Sequence, residues 1–157
     1  MKIQCWTVGK GHESYVNEGI TMFSKRISHY YPIEWQIISP AKNAQNASEE
    51  EIKEQEGQSI LKNLKQDDYL ILLDERGKML SSPELANFII SRANESKKQL
   101  IFLIGGAFGV SKDVSKRANY TWSISPLVFP HQIVRLILSE QIYRACTIIK
   151  NEKYHHS

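Results

Sequence analysis

Cysteine, proline and glycine are all scarce in this chain of 157 residues. The only two cysteines, Cys5 and Cys146, do not form a CxxC pair, which excludes a disulfide framework and a zinc finger. Five prolines and eight glycines are too few for a collagen-like or low-complexity chain. No apolar run approaches the roughly 20 residues that cross a bilayer, and no apolar stretch after Lys2 indicates a secretory signal. The sequence therefore predicts one domain over residues 1–157, without a membrane segment, in the cytoplasm.

Charge is distributed unevenly, although the net formal charge is only +3. Residues 1–96 contain 11 Lys and Arg against 14 Asp and Glu, whereas residues 97–157 contain 9 against 3. A basic half in a small protein favours an anionic partner such as nucleic acid or a nucleotide. Ordinary solubilising charge would give the same imbalance, so charge alone does not decide between the two.

Alternating strand and helix patterns run through the whole chain. The helical patterns include Tyr15–Tyr31, a capping box at Ser48, a start at Ser82 before Pro83, and starts at Ser111 and Pro130. This alternation predicts an α/β fold with an open, mainly parallel sheet and helices on both faces. Five apolar or β-branched runs are typical of strands: Ile3–Val8, Glu34–Ile38, Tyr69–Leu73, Leu100–Ile104 and Thr121–Ser125.

The last helical pattern, His131–Lys150, has apolar side chains on all sides. A helix on a sheet surface needs only one apolar stripe, so the other sides require cover. A second copy of the chain, packed through a two-fold interface, is the expected cover. The alternative is a central core helix in a monomer. Glu140 and Arg144 are four residues apart, which predicts an ion pair.

A glycine-rich turn follows the fourth predicted strand, with Gly105, Gly106 and Gly109 in a GGxxG spacing. Ligands bind at the carboxyl ends of parallel strands, and glycines let backbone amides approach them closely. The spacing is neither a Walker loop nor GxGxxG. A nucleotide-binding oxidoreductase would need an acidic residue about 20 positions later, but after Asp113 the next acid is Glu140.

A second candidate segment lies between Pro126 and Pro130, which stiffen an apolar loop. His131 follows in the first turn of the last helix, where the helix dipole disfavours its protonated form. It is therefore either a neutral base near pH 7 or a structural histidine that caps the loop.

Seven motifs together resemble the RlmH family, a group of small SPOUT-class methyltransferases that act on a pseudouridine of large-subunit ribosomal RNA. The resemblance runs from the first residues almost to the last. The motifs are MKIxxxxVGK at the start, EGQxIL (Glu56–Leu61), LDxxGK (Leu73–Lys78), LIGGxxG (Leu103–Gly109), FPHQIVR (Phe129–Arg135), EQIYRA (Glu140–Ala145) and the terminal Tyr154-His155.

The resemblance implies one SPOUT domain whose carboxyl-terminal part, about residues 100–157, forms a trefoil knot, and which works as a homodimer. It also implies S-adenosyl-L-methionine as cofactor, without a metal, because the sulfonium itself activates the methyl group. The implied cofactor contacts are Leu73, Gly105 and the loop residues Ile124, Ser125, Pro126, Leu127, Val128 and Phe129.

The implied acceptor is N3 of a pseudouridine in 23S ribosomal RNA of the assembled ribosome. Its imide proton must leave, and the candidate catalytic residues are His131, Arg144, Tyr154 and His155. A non-enzymatic ribosome-binding or assembly factor on the same fold is the alternative. The expected phosphate contacts are Lys112, Lys116, Arg117, Lys150 and Lys153.

Overall fold

A computed structural model describes residues 1–156 and contains one five-stranded sheet. The strands are β1 (Lys2–Val8), β2 (Ile33–Ile38), β3 (Tyr69–Met79), β4 (Gln99–Ile104) and β5 (Tyr120–Ser123). The helices are α1 (Ser14–Ile27), α2 (Glu49–Asn63), α3 (Ser82–Asn94), α4 (Lys112–Arg117) and α5 (His131–Ile149), with a 3-10 turn at Ala44–Asn46. The strand order is β2-β1-β4-β3-β5 and every neighbouring pair is parallel, which confirms the predicted sheet.

Helices cover both faces of this sheet, as predicted. One apolar cluster joins α1, α3 and α5 to residues such as Cys5 and Phe102, and a second joins α2 and α4 to residues such as Trp6 and Leu103. Because alternate strand residues point to opposite faces, continuously apolar strands can serve both clusters. The trefoil knot stays a prediction.

The last helix, α5, is the middle helix of its layer. It packs against α1 and against α3, and Leu138, Ile142 and Ala145 are fully buried within this single chain. These three residues share one stripe of α5, whereas Val134, Ile137 and Ile149 are only partly buried, so cover of the remaining sides by a second copy stays a prediction. Ile133 remains 37% exposed near the start of α5. A homodimer stays a prediction that needs other support.

Helix starts follow the capping chemistry of the sequence, with one correction. Ser48 forms the predicted capping box with Glu51, and Ser111 caps α4. The cap of α3 is Ser81 rather than Ser82, because a capping box needs its acid three residues after the cap and Glu84 meets that spacing only from Ser81.

Strand β3 extends well beyond the predicted Tyr69–Leu73. Leu73 and Lys78 both pair with Trp122 of β5, so residues 74–77 leave the ladder and protrude before the strand resumes. The protrusion lies at the carboxyl edge of the sheet, where it forms one wall of the cavity described below.

No helix among residues 1–156 has the length and apolar content that a bilayer span requires.

Candidate active site

A cavity of about 480 Å³ opens at the carboxyl ends of β3, β4 and β5. Its walls come from the protruding residues 74–76, the glycine-rich turn after β4 and the loop between β5 and α5. Pro126 is the one predicted cofactor contact outside the lining, and it is exposed. The predicted contacts that do line the cavity are Leu73, Gly105, Ile124, Ser125, Leu127, Val128 and Phe129.

The glycine-rich turn closes on itself at the cavity wall. The Gly109 amide donates to the Gly106 carbonyl oxygen at 3.0 Å, and Gly109 has a φ of +85°, which side chains with a Cβ rarely adopt. Gly106 has no room for a Cβ, because that atom would contact the Glu56 carboxylate of α2. Gly109 is therefore required by its backbone conformation, and Gly106 is required by the lack of space for a side chain.

The loop between β5 and α5 is held by short-range hydrogen bonds. The Ser123 hydroxyl donates to the Ser125 carbonyl oxygen at 2.9 Å, and the Ser125 hydroxyl accepts from the Leu127 amide at 3.0 Å. The side chains of Leu127 and Val128 are left 67% and 77% exposed at the cavity mouth. Apolar side chains in such a position are available to contact a ligand or a second protein surface.

The protruding residues of β3 bring an ion pair to the cavity wall. Arg76 donates from Nε and Nη2 to the two carboxylate oxygens of Asp74, at 2.9 and 2.8 Å. The hydrogen bonds from Arg76 hold the pKa of the Asp74 carboxyl below its usual range. Both residues line the cavity, so the sequence LDxxGK contributes to the site as well as to the turn.

His131 lines the cavity from the first turn of α5. Although a good part of its surface is open to solvent, partial desolvation lowers the pKa of its imidazole, and the nearby Arg135 cation lowers it further. The neutral form at pH 7 was expected from the helix dipole; in the structure the first cause of the lowered pKa is desolvation and the second is the Arg135 cation. A neutral imidazole can accept a proton, as the expected role of a base requires.

Sequence reasoning missed a second group at the start of α5, in which Arg135 and Gln132 hold the loop after β1. Arg135 is only 3% exposed, and its Nη1 donates to the Lys10 carbonyl oxygen at 3.0 Å. Gln132 donates to the Gly11 carbonyl oxygen at 3.1 Å and accepts from the Glu13 amide at 3.0 Å. An Arg within the apolar run from Ile133 to Leu138 was the available signal.

The remaining three candidate catalytic residues form a separate cluster near the end of α5. Arg144 pairs with Glu140 at 2.6 Å, as predicted, and Tyr154 donates to the same carboxylate oxygen at 3.1 Å. Arg144 lies over the Tyr154 ring, 4.8 Å from its centroid, and Nη1 is 3.4 Å from Nδ1 of His155. Arg144 is 13 positions after His131 in the sequence, so the helical rise separates the two along α5 by about 20 Å.

The expected phosphate contacts do not share one edge. Lys112 and Lys116 are exposed on α4, which covers one face of the sheet, whereas Lys150 follows α5 on the other face. Arg117 is not free for a phosphate, because its guanidinium donates to the carbonyl oxygens of Lys65 and Asp68, both at 2.9 Å. Lys112 and Lys116 therefore lie on a different face of the sheet from Lys150, and phosphate contact by these lysines stays a prediction.

The cavity suits a nucleoside-sized ligand. Its volume falls within the roughly 300–1,000 Å³ typical of small-molecule sites. Leu73, Ile124 and Phe129 supply apolar surface for a planar base, while the glycine turn supplies backbone groups. Among residues 1–156, no group of three or more His, Cys, Asp or Glu is arranged to hold a metal ion.

Known proteins resemble this chain over nearly its full length, and they are methyltransferases by name. The family model described as "Predicted SPOUT methyltransferase" matches residues 1–155. The chain is 46% identical over 156 residues to "Ribosomal RNA large subunit methyltransferase H" of Cytophaga hutchinsonii, which covers 99% of this chain and 100% of the relative. A protein of the same name from Alkaliphilus oremlandii is 45% identical, with 99% of each chain covered.

A solved structure shares the fold. The structure of a probable methylase family protein from Haemophilus influenzae Rd KW20 superposes with a TM-score of 0.53, covering 99% of this chain and 70% of that chain. At 12% sequence identity this likeness supports the architecture alone.

Proposed function

Because this chain belongs to the SPOUT methyltransferase family, we propose that it methylates large-subunit ribosomal RNA, as the names of its relatives state for them. The observation that carries this proposal is end-to-end similarity at 46% identity to a relative of that name. The cavity bounded by the glycine turn, the β3 protrusion and the loop between β5 and α5 supports the proposal that the reaction occurs there.

The cofactor we propose for this cavity is S-adenosyl-L-methionine, and its fit rests on the residues present. Leu73, Ile124, Leu127 and Phe129 would contact the adenine, and the backbone at Gly105 would hydrogen-bond to the ligand. The cofactor supplies a methyl group activated by a sulfonium, which is ready for direct transfer to a nucleophile. The chain's own task is then to position the acceptor and to take up its proton.

The finer proposal for the acceptor is N3 of a pseudouridine in 23S ribosomal RNA of the assembled ribosome. An imide nitrogen must lose its proton before or during attack on the methyl group. His131 lines the cavity and has a lowered pKa, so its neutral imidazole is available to accept that proton at pH 7. A cation near the imide oxygens would stabilise the developing charge, and Arg144 is the candidate.

The distance between the two groups of candidate catalytic residues bears on the homodimer. Within one chain, Arg144 lies about 20 Å along α5 from His131, and the tail residues Tyr154 and His155 contact Arg144 and Glu140 rather than the cavity. If both groups act on one acceptor, the second group must come from another copy. We therefore propose a homodimer in which each tail completes the partner's cavity.

The test is a comparison of ribosomal RNA from cells with and without the gene. We expect mass mapping of large-subunit RNA to show one pseudouridine that loses a methyl group in the deletion strain and regains it when the gene is restored. Restoration with a chain carrying Gly105→Val, whose Cβ would collide with the Val110 side chain and distort the glycine turn, should leave the RNA unmethylated. An unchanged methylation pattern in the deletion strain would contradict the proposal. These cells also test the cytoplasmic location, since the acceptor is in the ribosome.

A further inference from the structure

A buried carboxylate lies directly behind the cavity wall, and the proposed reaction does not use it. Glu56 of α2 is only 8% exposed, and it occupies the apolar face of the helix between Ile52 and Ile60. A Cβ placed on Gly106 would lie 3.1 Å from the Glu56 carboxyl carbon and nearer still to Oε2. Gly106 also lines the cavity, whereas Glu56 does not. Only the backbone of Gly106, which has no side chain, therefore separates the Glu56 carboxylate from the cavity.

Glu56 has no cationic partner among residues 1–156. It takes part in none of the ion pairs there, and Lys53, one turn earlier, pairs with Glu50 instead. The backbone amide of Ala41 donates to the carboxylate. Burial raises the pKa of Glu56, and the hydrogen bond from Ala41 opposes that rise. Burying a carboxylate without a cationic partner is costly, so a positive charge nearby would stabilise the ionised form of Glu56.

The nearby charges in the structure do not supply this compensation. The neighbouring loop carries Lys42 and the start of α4 carries Lys112 and Asp113, all exposed to solvent. On the cavity side, Arg76 is already paired with Asp74. A ligand in the cavity is the remaining source of positive charge close to Gly106.

We propose that Glu56 is a specificity-determining residue that favours binding of the positively charged methyl donor over its neutral thioether product. The inference rests on the proposed function, since it takes the cavity to hold S-adenosyl-L-methionine. The donor and S-adenosyl-L-homocysteine differ only in the methyl group and the sulfonium charge. A carboxylate behind Gly106 attracts that charge through a region of low dielectric and has no such interaction with the uncharged sulfur. Across a separation on the order of 10 Å and at an effective dielectric constant of about 20, this attraction gives a preference on the order of tenfold.

A preference for the donor over the product would favour release of the product after each methyl transfer. Methyl transfer removes the positive charge from the sulfur, so the product loses the attraction at the moment when it should leave. Glu56 thereby weakens product binding relative to donor binding without contacting either ligand.

The experiment measures dissociation constants of both ligands by calorimetry, using the full chain with Glu56→Gln and with Glu54→Gln as matched control. Glu56→Gln keeps the size and the acceptor for Ala41 but removes the charge, and Glu54 is an exposed glutamate on the same helix. We expect the ratio of the product to the donor dissociation constant to fall about tenfold in E56Q and to stay unchanged in E54Q. Equal weakening of both ligands, or no change, would overturn the inference and leave Glu56 a packing residue.

A second measurement covers the case in which E56Q does not fold. The same ratio is followed from pH 7.5 to pH 5 in the unsubstituted chain and in His131→Gln, because a protonated His131 in the cavity would also repel the donor. Asp74 stays ionised over this range, since its pKa is lowered. Because burial raises the pKa of Glu56, we expect the ratio to begin to fall in both chains at a higher pH than an ordinary glutamate would cause. A constant ratio in H131Q would overturn the inference, whereas failure of the unsubstituted chain to bind either ligand would contradict the proposed function itself.

Discussion

Nη1 of Arg135 lies 3.3 Å from Nδ1 of His12 and links helix α5 to the loop after β1. Arg135 is one helical turn after His131, so a single buried cation acts on two imidazoles. It lowers the pKa of His12 and the pKa of His131, in both cases as the second cause after desolvation. The edge of His12 also packs against the Trp35 ring, 5.0 Å between centroids, which fixes its orientation.

Removing this cation should raise both histidine pKa values. In Arg135→Gln the electrostatic repulsion of each imidazolium is lost while desolvation remains, so we expect partial return of His12 and His131 toward about 6.5. Histidine proton and carbon chemical shifts, followed by NMR against pH, measure the change. Arg135→Lys keeps the charge and should shift the values less. Unchanged or lower pKa values in R135Q would show that Arg135 does not set the protonation of either ring.

The same two histidines should make the protein less stable in mild acid. Their folded-state pKa values lie below the unfolded value of about 6.5, so below that pH the unfolded chain binds more protons than the folded chain. The free energy of unfolding should therefore decrease as the pH falls from about 7 through the folded-state values. Urea denaturation at several pH values measures this slope, and the His12→Gln/His131→Gln double variant should have a shallower one. An identical slope in the double variant would assign the acid sensitivity to other groups.

Mixed dimers separate a tail that acts within its own chain from one that acts on its partner. One variant carries Gly105→Val in the cavity wall and the other carries Arg144→Ala with His155→Ala; each alone should be inactive. If the tail serves the partner, a heterodimer has one intact site, and random mixing in equal amounts should restore about a quarter of the activity. Methyl transfer after co-refolding measures the recovery. No recovery in proven heterodimers would contradict the shared site.

Substitutions at Gly109 test the conformation of the glycine turn. A φ of +85° favours glycine, and asparagine tolerates positive φ better than other residues with a Cβ. We expect Gly109→Val to destabilise the fold by about 1–2 kcal/mol and Gly109→Asn to cost less. There is open space around the added Cβ, so strain rather than a clash would be the cause. Thermal and urea unfolding give the comparison, and equal losses for the two variants would argue against backbone strain.

The sequence predicts most of the fold because its signals are local and strong. Tyr69–Leu73 and Leu100–Ile104 are continuously apolar, as buried parallel strands require, and Ser48 and Ser111 carry recognisable caps. The resumption of β3 after the protruding residues could not be predicted, since it depends on pairing with the distant Trp122. The position of α5 between α1 and α3 is likewise a tertiary result that helical periodicity does not encode.

The candidate site was only partly predictable for a similar reason. Motifs and resemblance located the segments that carry Leu73, Gly105 and His131, and the structure brings these segments around one cavity. Glu56 and Arg135 were missed as individual residues, although each is a charged side chain at a helix position that faces apolar neighbours. Their roles depend on contacts with residues that are far away in sequence: Glu56 lies against Gly106, and Arg135 donates to the Lys10 carbonyl oxygen.

Transfer of labelled methyl groups from S-adenosyl-L-methionine to purified ribosomes is the most direct test of the proposed activity. The ribosomes should come from cells that lack the gene, so that the acceptor position is unmodified. We expect label in large-subunit RNA and none in small-subunit RNA, with the label lost in the Gly105→Val variant. Absence of label in large-subunit RNA, from a folded chain that binds the cofactor, would contradict the assignment.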